Sequence, residues 1–247
     1  MAIADRRQRE KEFRRTEILD VAERLFFSKG YDDVSVDEIA NQVELNKATI
    51  YFYFKNKEAL FSAIVLRGYH YLNRMYRECV ETNVPGINQV ALLAGAYYRF
   101  NRQYPDYMRM IRYYSSERFS KSASPEADEV AVASAESRSL IGSAVQHGID
   151  DGTIRNDIDP LEITIYLMIT FGSILSLDEK WLRILDERRI SHETFAQDFL
   201  RFITPAVDIQ ATKRKPRVFD IRDLGYSSLS LIKPIELVDI QKKRNRS

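Results

Sequence analysis

Apolar side chains recur at helical spacing along almost the whole chain, and strand-like alternation is scarce before residue 216. That periodicity constrains the fold more than any composition figure does. Ile18, Ala22, Leu25 and Phe26 form one stripe (i, i+4, i+7, i+8), and Gly30 follows where a left-handed residue ends a helix. Val36, Ile39, Ala40 and Val43 form a second stripe. Ahead of it, Ser35-Val-Asp-Glu38 fits a capping box in which Ser35 and Glu38 satisfy each other's free amide donors. The pattern breaks at Leu45-Asn46, where Asn46 is expected to supply the turn geometry. Lys47 to Phe54 then starts a third short helix, and Asn56 fits as N-cap of a long fourth helix carrying Leu60, Ala63 and Ile64.

The punctuation stays helical further on. Pro85-Gly86 and Tyr104-Pro105 separate helices near 87–103 and 105–119. Ser124-Pro125 and Asp159-Pro160 each set a capping residue before a proline at the first helical position. The helix after Pro125 is expected to end near Gly148 or Gly152, and the one after Pro160 to run to about Asp186. A last helix, with Phe195, Phe199, Phe202 and Ile203 on one face, is expected to stop at Pro205. An all-α fold follows.

Composition narrows the class. At 247 residues, with 45% hydrophobic and few Gly or Pro, the chain can build a proper core and is neither collagen-like nor wholly disordered. The single cysteine, Cys79, excludes a disulfide framework and a thiolate zinc site, and fits a reducing compartment. Met1 to Arg15 is charged and has no apolar core of a secretory signal. The most apolar stretch, Ile163 to Leu177, is interrupted by Thr164, Thr170, Ser173 and Ser176 and falls short of the roughly 20 residues of a span. A soluble, cytoplasmic protein with no membrane partner is expected. His70, His147 and His192 are scattered, and no metal-ligand spacing or phosphate-cradling Gly loop appears, so neither enzyme activity, nor a metal, nor a cofactor is expected. Asp150, Asp151, Asp157 and Asp159 cluster at a helix junction, where capping and solvation explain them.

The net charge of +1 conceals zoning: zero over residues 1–67, −4 over 68–205 and +5 over 206–247. Leu45 to Lys57 carries Lys47, Lys55 and Lys57 and no acid, a local cationic surface suited to a polyanion. A helix near 36–44, a tight break and a helix near 47–54 are the elements of a helix-turn-helix, although the turn lacks the frequent Gly. Thr49, Tyr53 and Lys57 recur every four residues and could face one phosphate strand, while Ile50 and Phe54 point inward. Lys57 also lies at the N-terminus of the next helix, whose free amides add an anion site. Lys47, Ala48 and Tyr51 are left near the groove floor, where lysine donates to guanine and Ala48 meets a thymine methyl.

The stretch Thr16–Phe61 resembles the DNA-binding domain of the TetR family of bacterial and archaeal transcriptional regulators. The matching features are the Ala22/Leu25/Phe26 stripe with Gly30-Tyr31, the Ser35-Val36 cap, Ile39-Ala40, and Lys47-Ala-Thr-Ile-Tyr-Phe-Tyr-Phe-Lys-Asn-Lys57. The resemblance implies a three-helix helix-turn-helix DNA-binding domain joined to a larger helical bundle for ligand binding and dimerisation. It implies phosphate contacts from Thr49, Tyr53 and Lys57 and base reading by Lys47, Ala48 and Tyr51, with Ser35 completing the DNA-facing set. Asp37 stands where relatives often place a basic or polar base contact, and that role is not carried over. The expected boundaries are a basic N-terminal arm at 1–15, the DNA-binding domain at 16–61, the ligand-binding and dimerisation domain at 62–205, and a basic C-terminal extension at 206–247.

In the larger domain aromatic residues crowd between Tyr97 and Phe119, and either core packing or a cavity explains them. Tyr97, Phe100, Tyr104, Met108, Ile111 and Phe119 are the pocket candidates; Arg109 and Arg112 either reach an anionic ligand or stay at the surface. The resemblance implies a dimer interface on about 160–185 and 192–204, with Tyr166, Ile169, Gly172, Ser173, Ser176 and Phe199 as candidates; a single-chain core is the alternative. The extension, with Pro216, Gly225 and Pro234, fits disorder or loose packing, a short strand at 217–224, or a basic tail touching DNA or a partner subunit. The expected function is a homodimeric repressor released from double-stranded operator DNA by a small-molecule effector. The alternatives are a ligand-independent regulator or an activator, or an all-α carrier or enzyme.

Overall fold

Seven helices begin on a Ser, Asn or Asp whose side chain accepts an amide from the first turn, which is why the boundaries fall where they do. The computed structural model describes residues 2–209, with side chains from residue 6. Its helices are α1 (Ala2–Lys29), α2 (Val36–Gln42), α3 (Lys47–Tyr53), α4 (Lys57–Val80), α5 (Gly86–Gln103), α6 (Pro105–Tyr114), α7 (Pro125–Asp150), α8 (Pro160–Ile174), α9 (Glu179–Glu187) and α10 (His192–Val207), with a 3-10 turn at Glu117–Phe119. The fold among the described residues is all-α. Expectations for residues 210–247 lie outside them.

The N-terminal core is the expected one. Ile18, Ala22 and Phe26 of α1, Ile39 and Ala40 of α2, and Ile50 of α3 are buried against Leu60 and Phe61 at the start of α4. The 24-residue α4 is about 36 Å long at 1.5 Å per residue, so it runs from this core into the larger bundle. There it packs against α5, α6 and, most extensively, α7. The helix α8 covers α7, and α10 packs on α8. The end of α10 is tied down by Arg155 donating its amide to the Val207 carbonyl at 2.8 Å, beside an isolated bridge between Ile154 and Asp208.

Several expectations are corrected. Residues 2–15 are not a separate arm but the first half of a continuous 28-residue α1. Only half of the capping box forms: Ser35 Oγ accepts the Glu38 amide at 3.0 Å, whereas the Glu38 carboxylate takes the Lys29 ammonium. The left-handed residue of the α2–α3 turn is Glu44, at φ 55°; Asn46, at φ −86°, is an N-cap. The helix after Pro160 stops at Ile174, because Asp178 caps a new helix, α9, that leaves at 71°. Helix α6 ends at Tyr114, short of 119. Pro205 does not end α10; it sits in the last turn, where its missing amide removes a single bond. No single helix among the described residues is long and apolar enough to cross a membrane.

Candidate nucleic-acid interface

Helix α3 buries Ile50, and Phe54 at its C-cap, against α1 and α4, which turns the opposite face to solvent. Ser35, Lys47, Ala48 and Tyr51 are exposed on this side, and Thr49 and Tyr53 are half-buried. Asn46 Oδ1 accepts both the amide and the hydroxyl of Thr49, at 2.8 and 2.9 Å, so the first turn of α3 is rigid. Lys47 Nζ lies 2.7 Å from Asp37 Oδ2, and that hydrogen bond raises its pKa above the ordinary lysine value. Asp37, set aside as a DNA contact, therefore acts as the resting partner of the leading base-reading candidate. Both side chains are solvated, so a phosphate or base edge can take the place of the carboxylate.

Lys57 departs from the expected stripe. Helix α3 ends at Tyr53, Phe54 is extended (φ −135°, ψ 121°), and Lys57 opens α4. The four-residue repeat of Thr49, Tyr53 and Lys57 thus crosses a helix break. The Lys57 ammonium lies 4.3 Å over the Tyr31 ring and 3.4 Å from the Asp32 carbonyl. Partial burial there lowers its pKa, with the Asp32 charge opposing.

A cavity of about 190 Å³ lies in the larger bundle. Tyr69 and Tyr76 of α4, Tyr97 of α5, Met108 and Ile111 of α6, and Ser137 of α7 wall it, with Phe171 of α8 and Phe199 of α10. Of the pocket candidates, Tyr97, Met108 and Ile111 line this cavity. Phe100, Tyr104 and Phe119 are not among its walls. Phe100 is fully buried in the main core, Tyr104 stacks on Tyr71 at 5.2 Å, and Phe119 packs against Tyr31 and Phe61. The reason is that aromatic density does not say which face a residue takes. Tyr69 and Tyr76 escaped the sequence reading, although their seven-residue separation puts them on one face of α4. Arg109 and Arg112 stay at the surface: Arg109 donates to the Phe27 carbonyl and pairs with Asp106, and Arg112 donates to Ser176 Oγ.

Helix α6 has a second face, turned to the N-terminal helices. Tyr107 donates its hydroxyl to Glu23 of α1 at 2.6 Å and packs edge-on against Phe27. Tyr113 donates to Asp32, in the turn before α2, and Arg118 pairs with the same carboxylate. These two donors hold the Asp32 carboxyl below the ordinary aspartate value, the Tyr113 bond contributing most.

Residues 18–64 match the family profile of bacterial regulatory proteins, tetR family. Over those residues the chain carries a domain of the TetR type. The chain is 38% identical over 58 residues to IcaR of Staphylococcus aureus strain Newman, described as a negative transcriptional regulator of a biofilm operon; the match covers 24% of this chain and 31% of IcaR. It thus spans about a third of the length of that relative. It is 24% identical over 146 residues to the transcriptional repressor KstR2 of Mycolicibacterium smegmatis, covering 59% of this chain and 70% of KstR2. FadR of Bacillus subtilis, solved with stearoyl-CoA, superposes at a TM-score of 0.59 with 16% identity, over 76% of this chain and 97% of that one, a likeness of fold.

The candidate dimer face is mixed. Tyr166 and Ile169 on α8 are 56% and 62% exposed, an unusual position for large apolar side chains. Ser173 and Ser176 are exposed too, but their hydroxyls bond back to the Ile169 and Gly172 carbonyls. Gly172 and Phe199 are half-buried and line the cavity.

Proposed function

We propose that the chain is a homodimeric transcriptional repressor that binds double-stranded operator DNA through α2 and α3 and is released by a small, mainly apolar effector held in the cavity. The observation that carries this reading is the two-faced α6. Met108 and Ile111 meet the cavity, while Tyr107 and Tyr113 grip Glu23 and Asp32 of the DNA-binding domain. A ligand that displaces the first pair shifts the second, and so changes how two reading helices are spaced. Half-sites one DNA turn apart require a separation of about 34–36 Å, so a small shift is enough to misfit them. Such release requires that the effector bind the misfit state more tightly.

Thr49 and Tyr53 are assigned to phosphates and Lys47, Ala48 and Tyr51 to base edges, with Ser35 beside the entry of α2. Lys57 is assigned a phosphate contact only after it leaves Tyr31. The exposed apolar surface of α8, with Phe202 of α10, is assigned to the partner subunit, since a two-fold interface buries the same patch on both copies. The cavity walls contain no charged side chain among the described residues, which favours a neutral effector or the apolar portion of a larger one. An apolar cavity of about 150 Å³ holds benzene, so this one suits a somewhat larger group. FadR, solved with stearoyl-CoA, offers a fold-level parallel for an acyl chain.

The test is to select preferred duplexes from a random pool with the full chain and to measure their affinity against unselected DNA. Tighter binding to the selected duplex, lost in Lys47→Ala and Tyr53→Ala with folding retained, supports the reading. Affinity equal to that for random DNA would overturn it.

A further inference from the structure

Beyond the reading helix, a second cationic surface lies on the N-terminal half of α1. Arg7, Lys11 and Arg14 follow one another at i, i+4 and i+7, so they share a face that extends on the order of 10 Å along the helix. With Arg6 and Arg9 they line a surface concavity whose single carboxylate is Glu10. Its opposite wall is Phe52 and Tyr53, at the end of α3. Lys11 Nζ sits 5.5 Å over the Phe52 ring, which joins the two walls without neutralising the ammonium. Phe52 is 70% exposed, so the core does not explain its place. Arg6 and Arg14 are partnered by Glu10 and Glu17, whereas neither Arg7 nor Lys11 has a carboxylate partner among the described residues. A row of cations with few compensating acids is stable beside a polyanion and self-repelling away from one.

We infer that this face of α1 is a phosphate-binding surface that extends the DNA contact past the helix-turn-helix, with Arg7 and Lys11 neutralising backbone phosphates that flank the bases read by α3. The inference rests on the proposed DNA-binding function. Three features select duplex DNA as the occupant. The concavity carries strong positive charge, its far wall includes Tyr53 of the reading helix, and its cations lie along a helix axis, as a phosphate strand requires. The contact is blind to sequence, because it touches no base edge. It therefore raises affinity for every duplex and leaves the preference among duplexes to α3.

The probe is a random-sequence DNA duplex, with binding to the full-length protein followed by anisotropy across roughly 50 to 200 mM salt. Each phosphate contact contributes about 0.9 to the slope of log affinity against log salt, so Arg7→Gln/Lys11→Gln is expected to lower that slope by nearly 2. Glutamine keeps helix propensity, and an unchanged melting curve and helical circular dichroism signal verify the fold. The charge-matched pair Arg102→Gln/Arg138→Gln, on α5 and α7, is expected to leave the slope as in the wild type. A wild-type slope in the Arg7/Lys11 variant overturns the inference while leaving the repressor reading intact, as does an equal drop in the Arg102/Arg138 variant. A wild-type protein without salt-dependent duplex binding overturns both.

Discussion

Glu44 holds φ at 55°, a left-handed conformation that costs an L-residue about 1–2 kcal/mol and glycine almost nothing. Glu44→Gly is expected to stabilise the fold by about 0.5 kcal/mol, after the entropy glycine restores to the unfolded chain, and Glu44→Val to destabilise it by about 1 kcal/mol. Urea unfolding checks the pair; a lower midpoint for the glycine variant would contradict the strain. Asn73 shows the opposite situation. It is fully buried, donates to the Ala133 carbonyl at 2.8 Å and to Glu136 at 3.0 Å, and accepts from Ser137. Asn73→Ala removes three hydrogen bonds at once, leaving Glu136 to Arg77 and Ser137 to the Ala133 carbonyl, at an expected cost of about 2–3 kcal/mol in the same assay. Neither position was legible beforehand. Nothing local marks Glu44 as the left-handed residue when an Asn stands two places on. Asn73 is polar in a helix that reads as amphipathic, and its partners lie about sixty residues away. Ile50 and Phe54 were legible, because a short helix with one apolar edge has only one way to face a core.

Between elements, α5 starts in close backbone contact with the end of α7. A Cβ on Gly86 would lie 2.0 Å from the Gly148 amide nitrogen and 2.2 Å from its Cα. Backbone cannot yield there, so Gly86→Ala is expected to displace α5 and cost at least about 3 kcal/mol. A urea midpoint within error of the wild type would refute this. Asp151 reinforces the junction by accepting the Gly86 amide at 2.7 Å. From the sequence, Gly86 was only punctuation, because the backbone it must admit comes from another helix. The break between α8 and α9 was hidden for a related reason. The apolar run continues across it, and a single capping residue, Asp178, decides against one long helix. Helix existence was thus plain from periodicity. The cavity was half legible, since only packing decides which side of α5 and α6 meets it.

Across the molecule, acid titrates the groups that join its parts. Asp32 is held below the ordinary aspartate value of 3.8 by Tyr113 and Arg118, and Asp151 by Thr153 and the Gly86 amide. Glu136 is held below 4.5, chiefly by Arg77. A carboxyl with a depressed folded pKa stabilises fully above its unfolded value and loses that contribution as pH falls through the folded one. Stability is therefore expected to be level from neutral pH down to about 4.5 and to fall progressively below it, with Asp32→Asn flattening part of that fall. Unfolding midpoints across pH, for wild type and variant, measure this.

On the proposed reading, the two faces of α6 also fix what DNA does to the cavity. A helix that carries a push from Met108 and Ile111 to Glu23 and Asp32 carries it equally in reverse. Whatever factor the effector takes from operator affinity, operator must take from effector affinity. Titrating effector into DNA-saturated protein is expected to return that same factor. A repressor sitting on its operator is then a poorer sensor than the free copies around it, so release in a cell tracks how much protein is unbound as well as how much effector is present.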